Sequence, residues 1–441
     1  MMQTAGLALA RLTLALVPHA RVIWVACGPG NNGGDGLEAA AHLQAWGKQV
    51  VVSLVHEPGK SPDDARGAWD AAHTAGVRFT DKVPDHYDVC IDALFGIGSM
   101  RPMGATYADW VTHMNAAPAP TIAVDVPSGL QADTGAVGAV QVEANFTLSL
   151  LTLKPGLFTG CGRDVSGEIW FNDLGISVDA APQAMLMGAP TQHARRHASH
   201  KGSYGDVCIV GGTSGMTGAA LLAARSALNG GAGRVFVCPL GPLEPALDVQ
   251  KPELMFRNFS DLDWREMVLV AGCGGGQAIA ELLPHILRNA KQLVLDADAL
   301  NRIAESAALQ ALVAKRSAGT TVITPHPLEA ARLLGCTAAH IQADRLNAAR
   351  TLAQRFHCVT LLKGSGSIIA APDNVLCINP TGNGKLATAG TGDVLAGLIG
   401  ANLAAGQSAL DAACSAVYRH GLAADHWQGP VLNASALCQW N

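Results

Sequence analysis

The chain is expected to fold as two α/β domains in series, each a parallel sheet with helices on both faces. Three observations predict this. The strand-like runs are nearly all apolar rather than alternating, as strands buried on both faces must be. Helix-like stretches separate them, as the crossovers of a parallel sheet require. Between residues 177 and 203 the periodic signal stops, and then the same alternation restarts. At 441 residues the chain is long enough for two independent cores. The boundary is placed near residue 185, giving domains 1–180 and 181–441.

In the first half, residues 21–27, 49–55, 88–94, 121–126, 145–153 and 168–171 read as strands, and 37–46 and 62–75 as helices. Residues 7–17 are apolar enough to resemble a signal peptide. However, no positive stretch precedes them and Arg11 interrupts them, so they read as an amphipathic helix packed on the first domain. The stretch containing Ala181-Pro182, Pro190 and Arg195-Arg-His-Ala-Ser-His200 reads as a linker with a docking edge. In the second half the strands are 206–212, 234–239, 267–272, 292–296, 320–324 and 358–363. The helices there are 216–229, 328–334, 345–356, 393–405 and 408–426.

Hydrophobic residues make up 49% and charged ones 15%, with 49 glycines, which suits closely packed α/β layers. A net charge of -5 carries no basic excess, so nucleic acid is not an expected partner. No run approaches the ~20 apolar residues of a membrane span, and no membrane partner is expected. The 11 cysteines are scattered singly, and Cys27, Cys90, Cys208, Cys238, Cys358 and Cys377 sit in apolar strand-like runs. Buried free thiols in a reducing cytoplasm are the reading.

Gly28-Pro-Gly-Asn-Asn-Gly-Gly-Asp-Gly36 lies directly behind the first strand. Glycines that dense let backbone N–H groups close on a phosphate. Asn31, Asn32 and Asp35 add more polar oxygen than the ordinary dinucleotide G-x-G-x-x-G loop carries. Asp92 before Gly96-Ile-Gly98, and Asp125-Val-Pro-Ser128, end two further strands. In a parallel sheet these ends share one crevice, although a single Asp at a strand end is more often a helix cap.

G-P-G-N-N-G-G-D-G, D-A-L-F-G-I-G, D-V-P-S-G-L and L-K-P-G-L together resemble the amino-terminal epimerase domain of the bacterial bifunctional NAD(P)H-hydrate repair enzymes, over residues 2–175. The resemblance implies a Rossmann-like three-layer domain. It also implies a hydrated dinucleotide held by Asn31, Asn32, Gly33, Gly34, Asp35, Gly96, Ile97, Gly98, Ser99, Met100, Arg101, Pro102 and Asp125. Potassium is implied at Asn32, Asp92 and Ser128, whose hard oxygens suit it. Epimerisation needs an acid or base beside the ring, and Asp125 is the carboxylate not assigned to the phosphate loop or the cation. Met2-Gln-Thr-Ala-Gly6 resembles the end of the family's opening helix, which is expected to be shortened here.

In the second half, Lys363-Gly-Ser-Gly-Ser367 follows an apolar strand, and Ala389-Gly-Thr-Gly-Asp393 precedes an apolar helix. A glycine loop at a helix N-terminus aims N–H groups at a phosphoryl group, and Asp393 can take a hydroxyl proton for in-line attack. A plain cap is the alternative for Asp393. No Walker sequence is present, and the pattern resembles the G-x-G-D anion hole of ribokinase-like kinases.

Lys201-Gly-x-x-Gly205, Gly211-Gly212, Lys251-Pro-Glu-Leu-Met255, Asp296-Ala-Asp-Ala-Leu300, Thr324-Pro-His-Pro327 with Glu329, and Asp344-Arg345 add to it. Together they resemble the ADP-dependent NAD(P)HX dehydratase domain, a ribokinase-like α/β fold. The family's Gly-Pro-Gly-Leu-Gly turn is here Gly272-Cys-Gly-Gly-Gly276. The resemblance implies substrate contacts at Ala219, Gly274, His326 and Asp393, an ADP or AMP site at Lys363, Gly364, Ser365, Gly366, Ser367 and Gly392, Asp393 as catalytic base, and Mg²⁺ with ADP as co-substrate. On its own, His326 would more often be a packed or capping histidine. A cytoplasmic homo-oligomer repairing hydrated NADH and NADPH is the expectation. The alternative is a ribokinase-like small-molecule kinase with a non-catalytic Rossmann-like binding domain.

Overall fold

A computed structural model describes residues 1–56, 62–98, 102–191, 194–241 and 247–440. The chain divides into two units, Met1–Ala181 and Pro182–Asn441.

The first unit is built on seven parallel strands: β1 (Val22–Cys27), β2 (Gln49–Ser53), β3 (Arg78–Thr80), β4 (Val89–Ala93), β5 (Thr121–Val124), β6 (Phe146–Leu150) and β7 (Glu168–Asn172). Their order is β3-β2-β1-β4-β5-β6-β7. After β1 the chain winds one way to β3, and from β4 it winds the other way, so the switch point lies between β1 and β4. Ligands of open α/β sheets bind outside the carboxyl ends there.

The helices are α1 (Met2–Leu16), α2 (Asn31–Ala45), α3 (Asp63–Thr74), α4 (Ala105–Ala116) and the short α5 (Gly162–Val165). Ile23, Val25, Cys27 and Ile91 on one face of the sheet, and Trp24, Ala26 and Cys90 on the other, are all fully buried. Burial on both faces is why these runs do not alternate.

Two expectations are corrected here. Residues 2–6 and 7–17, read as separate pieces, form the single helix α1 and its C-cap Val17. Helix α2 begins at Asn31 rather than at residue 37, so most of the expected phosphate loop is a helical first turn and a half. Only Gly28 to Gly30 remain as loop. Gly28 is obligatory there, because a Cβ would fall 1.7 Å from the Leu94 carbonyl oxygen.

The second unit has β8 (Ala184–Leu186), β9 (Asp206–Gly211), β10 (Arg234–Pro239), β11 (Met255–Phe256), β12 (Val268–Ala271), β13 (Gln292–Leu295), β14 (Thr321–Ile323), β15 (Val359–Leu362), β16 (Ile368–Ala370) and β17 (Leu376–Ile378). Their order is β11-β10-β9-β12-β13-β14-β15-β16-β17-β8. Strands β9 to β15 run parallel, β16 and β17 form an antiparallel extension, and β8 pairs parallel with β17. The segment read as a linker thus contributes an edge strand, too short for periodicity to reveal. Cys377 in β17 is half-buried rather than buried, because its strand lies near that edge.

The helices are α6 (Thr217–Asn229), α7 (Ile279–Asn289), α8 (Ala297–Glu305), α9 (Ala307–Ala314), α10 (Pro327–Leu334), α11 (Ala338–Ala343), α12 (Arg345–Phe356), α13 (Thr391–Ala404), α14 (Ala409–His426) and α15 (Ala434–Trp440). Helix α13 is buried along almost its whole length, with Val394, Ala396, Leu398 and Ile399 at 0% exposure. A helix apolar all round can only be a core helix, and that burial fixes where its N-terminus points. Among the described residues no helix is long and apolar enough to cross a membrane.

Candidate active sites

In the first unit the carboxyl ends of β1, β4 and β5 bring the expected residues together. Asp92, the fourth residue of β4, is fully buried. Its Oδ1 accepts from Ser128 Oγ at 2.6 Å and from Leu94 N at 3.2 Å, and its Oδ2 from Ser128 N at 2.8 Å. Burial nevertheless pushes its pKa up to about 6. Ser128 Oγ in turn accepts from Phe95 N at 2.9 Å. A Cβ on Gly96 would stand 3.3 Å from Asn32 Oδ1, so this loop touches the start of α2. Among the described residues Asn32 Nδ2 is buried without a hydrogen-bond partner. Ser99, Met100 and Arg101 lie outside the described residues, and Ile97, Gly98 and Pro102 are exposed.

Asp125 follows β5 with a positive φ of 68°, a conformation unusual for a residue with a Cβ. Its Oδ1 accepts from Leu150 N at 3.1 Å and is ion-paired with Lys154, whose ammonium also donates to Leu150 O at 2.5 Å. Sequence reasoning quoted Lys154 in a motif but gave it no role, because the pairing joins segments that are distant in the chain. Asp35, in the second turn of α2, has its pKa pushed up to about 7 by burial and then by the negative charge of Asp125. Asn31, Asn32 and Gly33 occupy the first turn, whose N–H groups have no intrahelical acceptors. That is an anion cradle at a helix N-terminus.

In the second unit a denser cluster forms behind β12, β13, β14 and β15. Lys363 Nζ lies 2.7 Å from Asp296 Oδ1 and 4.0 Å from Glu329 Oε2. Thr324 Oγ1 donates to the same Asp296 oxygen at 2.8 Å. Burial raises the Glu329 carboxyl to about 7, partly offset by Lys363. Gly390, at φ 89°, turns the chain into α13, and Asp393 is the third residue of that helix. The helix therefore starts two residues before the expected 393, and Thr391, Gly392 and Asp393 offer free N–H groups. A Cβ on Gly392 would sit 3.2 Å from Lys363 Nζ. Asp393 is pushed up to about 7 by burial and then by Asp296, with a hydrogen bond from Cys273 pulling the other way.

Gly274 sits against Ala219, where a Cβ would stand 3.0 Å from the Ala219 Cβ. His326 Nδ1 accepts from Leu328 N at 3.1 Å and Glu329 N at 3.4 Å, and its Nε2 lies 3.2 Å from Glu329 Oε1. The capping reading of His326 is therefore realised within the same cluster. Ser367 Oγ donates to Gly364 O at 3.2 Å, holding the turn after β15. Arg345, fully buried behind that turn, donates to Lys363 O at 3.3 Å. Asp296 and Cys273 went unassigned in the sequence reading, although both lay in quoted strand-end motifs.

The fold defines a Rossmann-like domain followed by a ribokinase-like α/β domain. Residues 207–436 match the family model described as NAD(P)H-hydrate dehydratase, and residues 1–156 the one described as YjeF-related protein N-terminus. The bifunctional NAD(P)H-hydrate repair enzyme Nnr of Escherichia coli strain K12 is 37% identical over 442 residues, covering 96% of this chain and 84% of its own. The Coxiella burnetii enzyme of the same name is 34% identical over 445 residues, covering 96% and 89%. Among solved structures, a ribokinase-like superfamily protein of Enterococcus faecalis V583 is 22% identical, covers 60% of this chain and 96% of its own, and has a TM-score of 0.50, a likeness of fold. The chain belongs to the family of bifunctional NAD(P)H-hydrate repair enzymes.

Proposed function

We propose that the first unit interconverts the R and S epimers of hydrated NADH and NADPH, and that the second dehydrates the S epimer with ADP as phosphoryl donor. The observation that carries this reading is Asp393, a half-buried carboxyl raised to about 7 beside the open N–H groups of α13. A base poised near neutral pH at an anion cradle is what phosphorylation of a ring hydroxyl needs.

In the second unit, Asp393 would take the hydroxyl proton as the ring oxygen attacks the β-phosphorus of ADP, and AMP would leave. The α13 N–H groups and Lys363 would stabilise charge on the transferring phosphoryl group. The C–O bond then breaks, phosphate departs with the bonding pair, and the adjacent ring carbon loses a proton, restoring the dihydronicotinamide. Lys363, Gly364, Ser365, Gly366, Ser367 and Gly392 would hold the adenine nucleotide, and Ala219, Gly274 and His326 the damaged one. Asp296 Oδ2, turned toward Gly392, fits as the one carboxylate ligand of a Mg²⁺ otherwise held by phosphate oxygens, which would supply charge neutralisation there.

In the first unit, Asp125 would exchange the proton that lets the hydroxylated carbon invert, with Lys154 fixing its carboxylate and Asp35 as a second proton-carrying group. The helix N-terminus at Asn31 to Gly33, with Gly34, Asp35 and residues 96–102, would hold the dinucleotide. Potassium fits here: among the described residues no cationic side chain pairs with buried Asp92. Asn32, Asp92 and Ser128 would hold the ion, which would supply positive charge opposite the phosphates.

Cytoplasmic residence, homo-oligomeric assembly and the absence of nucleic-acid or membrane partners belong to the same proposal. The 11 free cysteines support the residence, and a net charge of -5 the absence of a nucleic-acid partner. The test mixes purified R and S hydrates with ADP and Mg²⁺ and follows dihydronicotinamide absorbance. Full recovery with AMP and free phosphate is expected, whereas a stable phosphorylated product would establish an ordinary small-molecule kinase instead.

A further inference from the structure

Cys273 stands where the family's Gly-Pro-Gly-Leu-Gly turn carries proline. Its side chain is fully buried at the carboxyl end of β12, two residues past Ala271. One ligand atom each of Cys273, Asp296 and Asp393 lie within 4.8 Å of one another. Asp296 Oδ1 is engaged by Thr324 and Lys363, which leaves Oδ2 facing Gly392, where a Cβ would stand 3.9 Å away.

We propose that Cys273, Asp296 and Asp393 form a binding site for one thiophilic divalent cation, of which Zn²⁺ is the type. Tetrahedral Zn²⁺ with one sulfur and two oxygens needs donors roughly 3.5 Å apart, so small side-chain rotations close the triad around it. Two carboxylates and a thiolate outweigh the single ammonium of Lys363. The thiol gives its proton to water as the Sγ–metal bond forms, and no electron changes hands. A thiolate ligand selects against Mg²⁺, which takes oxygen and depends on nucleotide phosphates. Proline at position 273 would offer no such ligand, so the site distinguishes this chain from the family pattern. The metal would occupy Asp393, and its effect on turnover, unlike its binding, rests on the reading of Asp393 as base.

The test adds Co²⁺ to the nucleotide-free full chain and reads the thiolate-to-metal charge-transfer absorbance. The expected result is a band saturating at one equivalent, displaced by Zn²⁺ but not by excess Mg²⁺, and missing in Cys273→Ala. Loss of an outer-shell partner alone commonly costs 10- to 100-fold in metal affinity, so Zn²⁺ binding to Cys273→Ala should weaken at least about 100-fold. Cys273→Pro, which installs the family residue, is the second variant, and thermal melts verify that both fold. A band of equal strength in the folded variants, or none in the native chain, overturns the site. Separately, Zn²⁺ should slow dehydration by the native chain more than by Cys273→Pro. Full turnover with metal bound would leave the site standing and overturn the assignment of Asp393 as base.

Discussion

Lys363 Nζ and Asp296 Oδ1 meet at 2.7 Å behind the carboxyl ends of β15 and β13, and this pair sets the charge of the second crevice. The Lys363 side chain is 19% exposed and that of Asp296 only 2%. Removing the ammonium strands a buried carboxylate.

Lys363→Met should therefore destabilise the second unit by about 3 kcal/mol, the usual cost of breaking a buried pair from one side. Lys363→Met with Asp296→Asn should recover much of that loss without recovering ADP binding. Denaturant melts and ADP titrations of both variants check this. A single variant as stable as the native chain would mean that solvent reaches the pair.

Asp393→Asn should keep the fold and ADP binding while kcat for the S hydrate falls by ~10²-fold to 10⁴-fold, because a base is lost while the start of α13, capped by Gly390 without a side-chain bond, is left as it was. In the native chain the carboxyl holds its proton up to about pH 7. The dehydration rate should rise as pH increases through about 7 and then level off. The stability sign is the opposite. The folded carboxyl binds a proton that the unfolded one has released from 3.8 upward, so this group's contribution to stability falls as pH rises from there to about 7.

These residues also mark what the sequence could show. The alternation of apolar runs and helical stretches was legible because both faces of each sheet are covered. The helix starts at Asn31 and Thr391 were not legible, since glycine-rich turns read as loop by propensity and only tertiary burial holds them helical. The short strands β8 and β16, each of 3 residues, are below what periodicity detects, whereas the run around Cys377 that forms β17 already reads as strand-like. Asp125 and Asp393 were singled out by the strand-end and Gly-rich motifs they sit in and by the resemblance those motifs carry. Their partners Lys154 and Cys273 act across long sequence separations, which spacing does not encode.

Asp125→Ala should abolish conversion of pure R hydrate and leave ADP-dependent conversion of the S hydrate in place. Lys154→Met should lower epimerisation by releasing the Asp125 carboxylate from the ion pair that holds it in place. Rates from resolved epimers decide the matter, and undiminished use of R hydrate by Asp125→Ala would remove Asp125 from the mechanism.

Potassium should raise the melting temperature of the first unit, and the gain should grow as pH rises through about 6, where Asp92 ionises. The unbound fold disfavours that charge, so the ion matters only once it is present. Tetramethylammonium should give no gain, and Asp92→Ala should not respond to potassium. Equal melting of the native chain in both salts at pH 8 would show that hydrogen bonds from Ser128 and Leu94 suffice.

The pairing of β8 with β17 has a consequence for how the second unit is made. The first strand of that unit to be synthesised, Ala184–Leu186, finds its partner in the last, Leu376–Ile378. A truncated version begun at residue 201, where the motifs start, would leave β17 with an open row of N–H and C=O groups, inviting edge-to-edge association. On the ribosome, β8 must likewise wait until nearly all of the unit has emerged, so closure of this sheet edge is a late event in biogenesis.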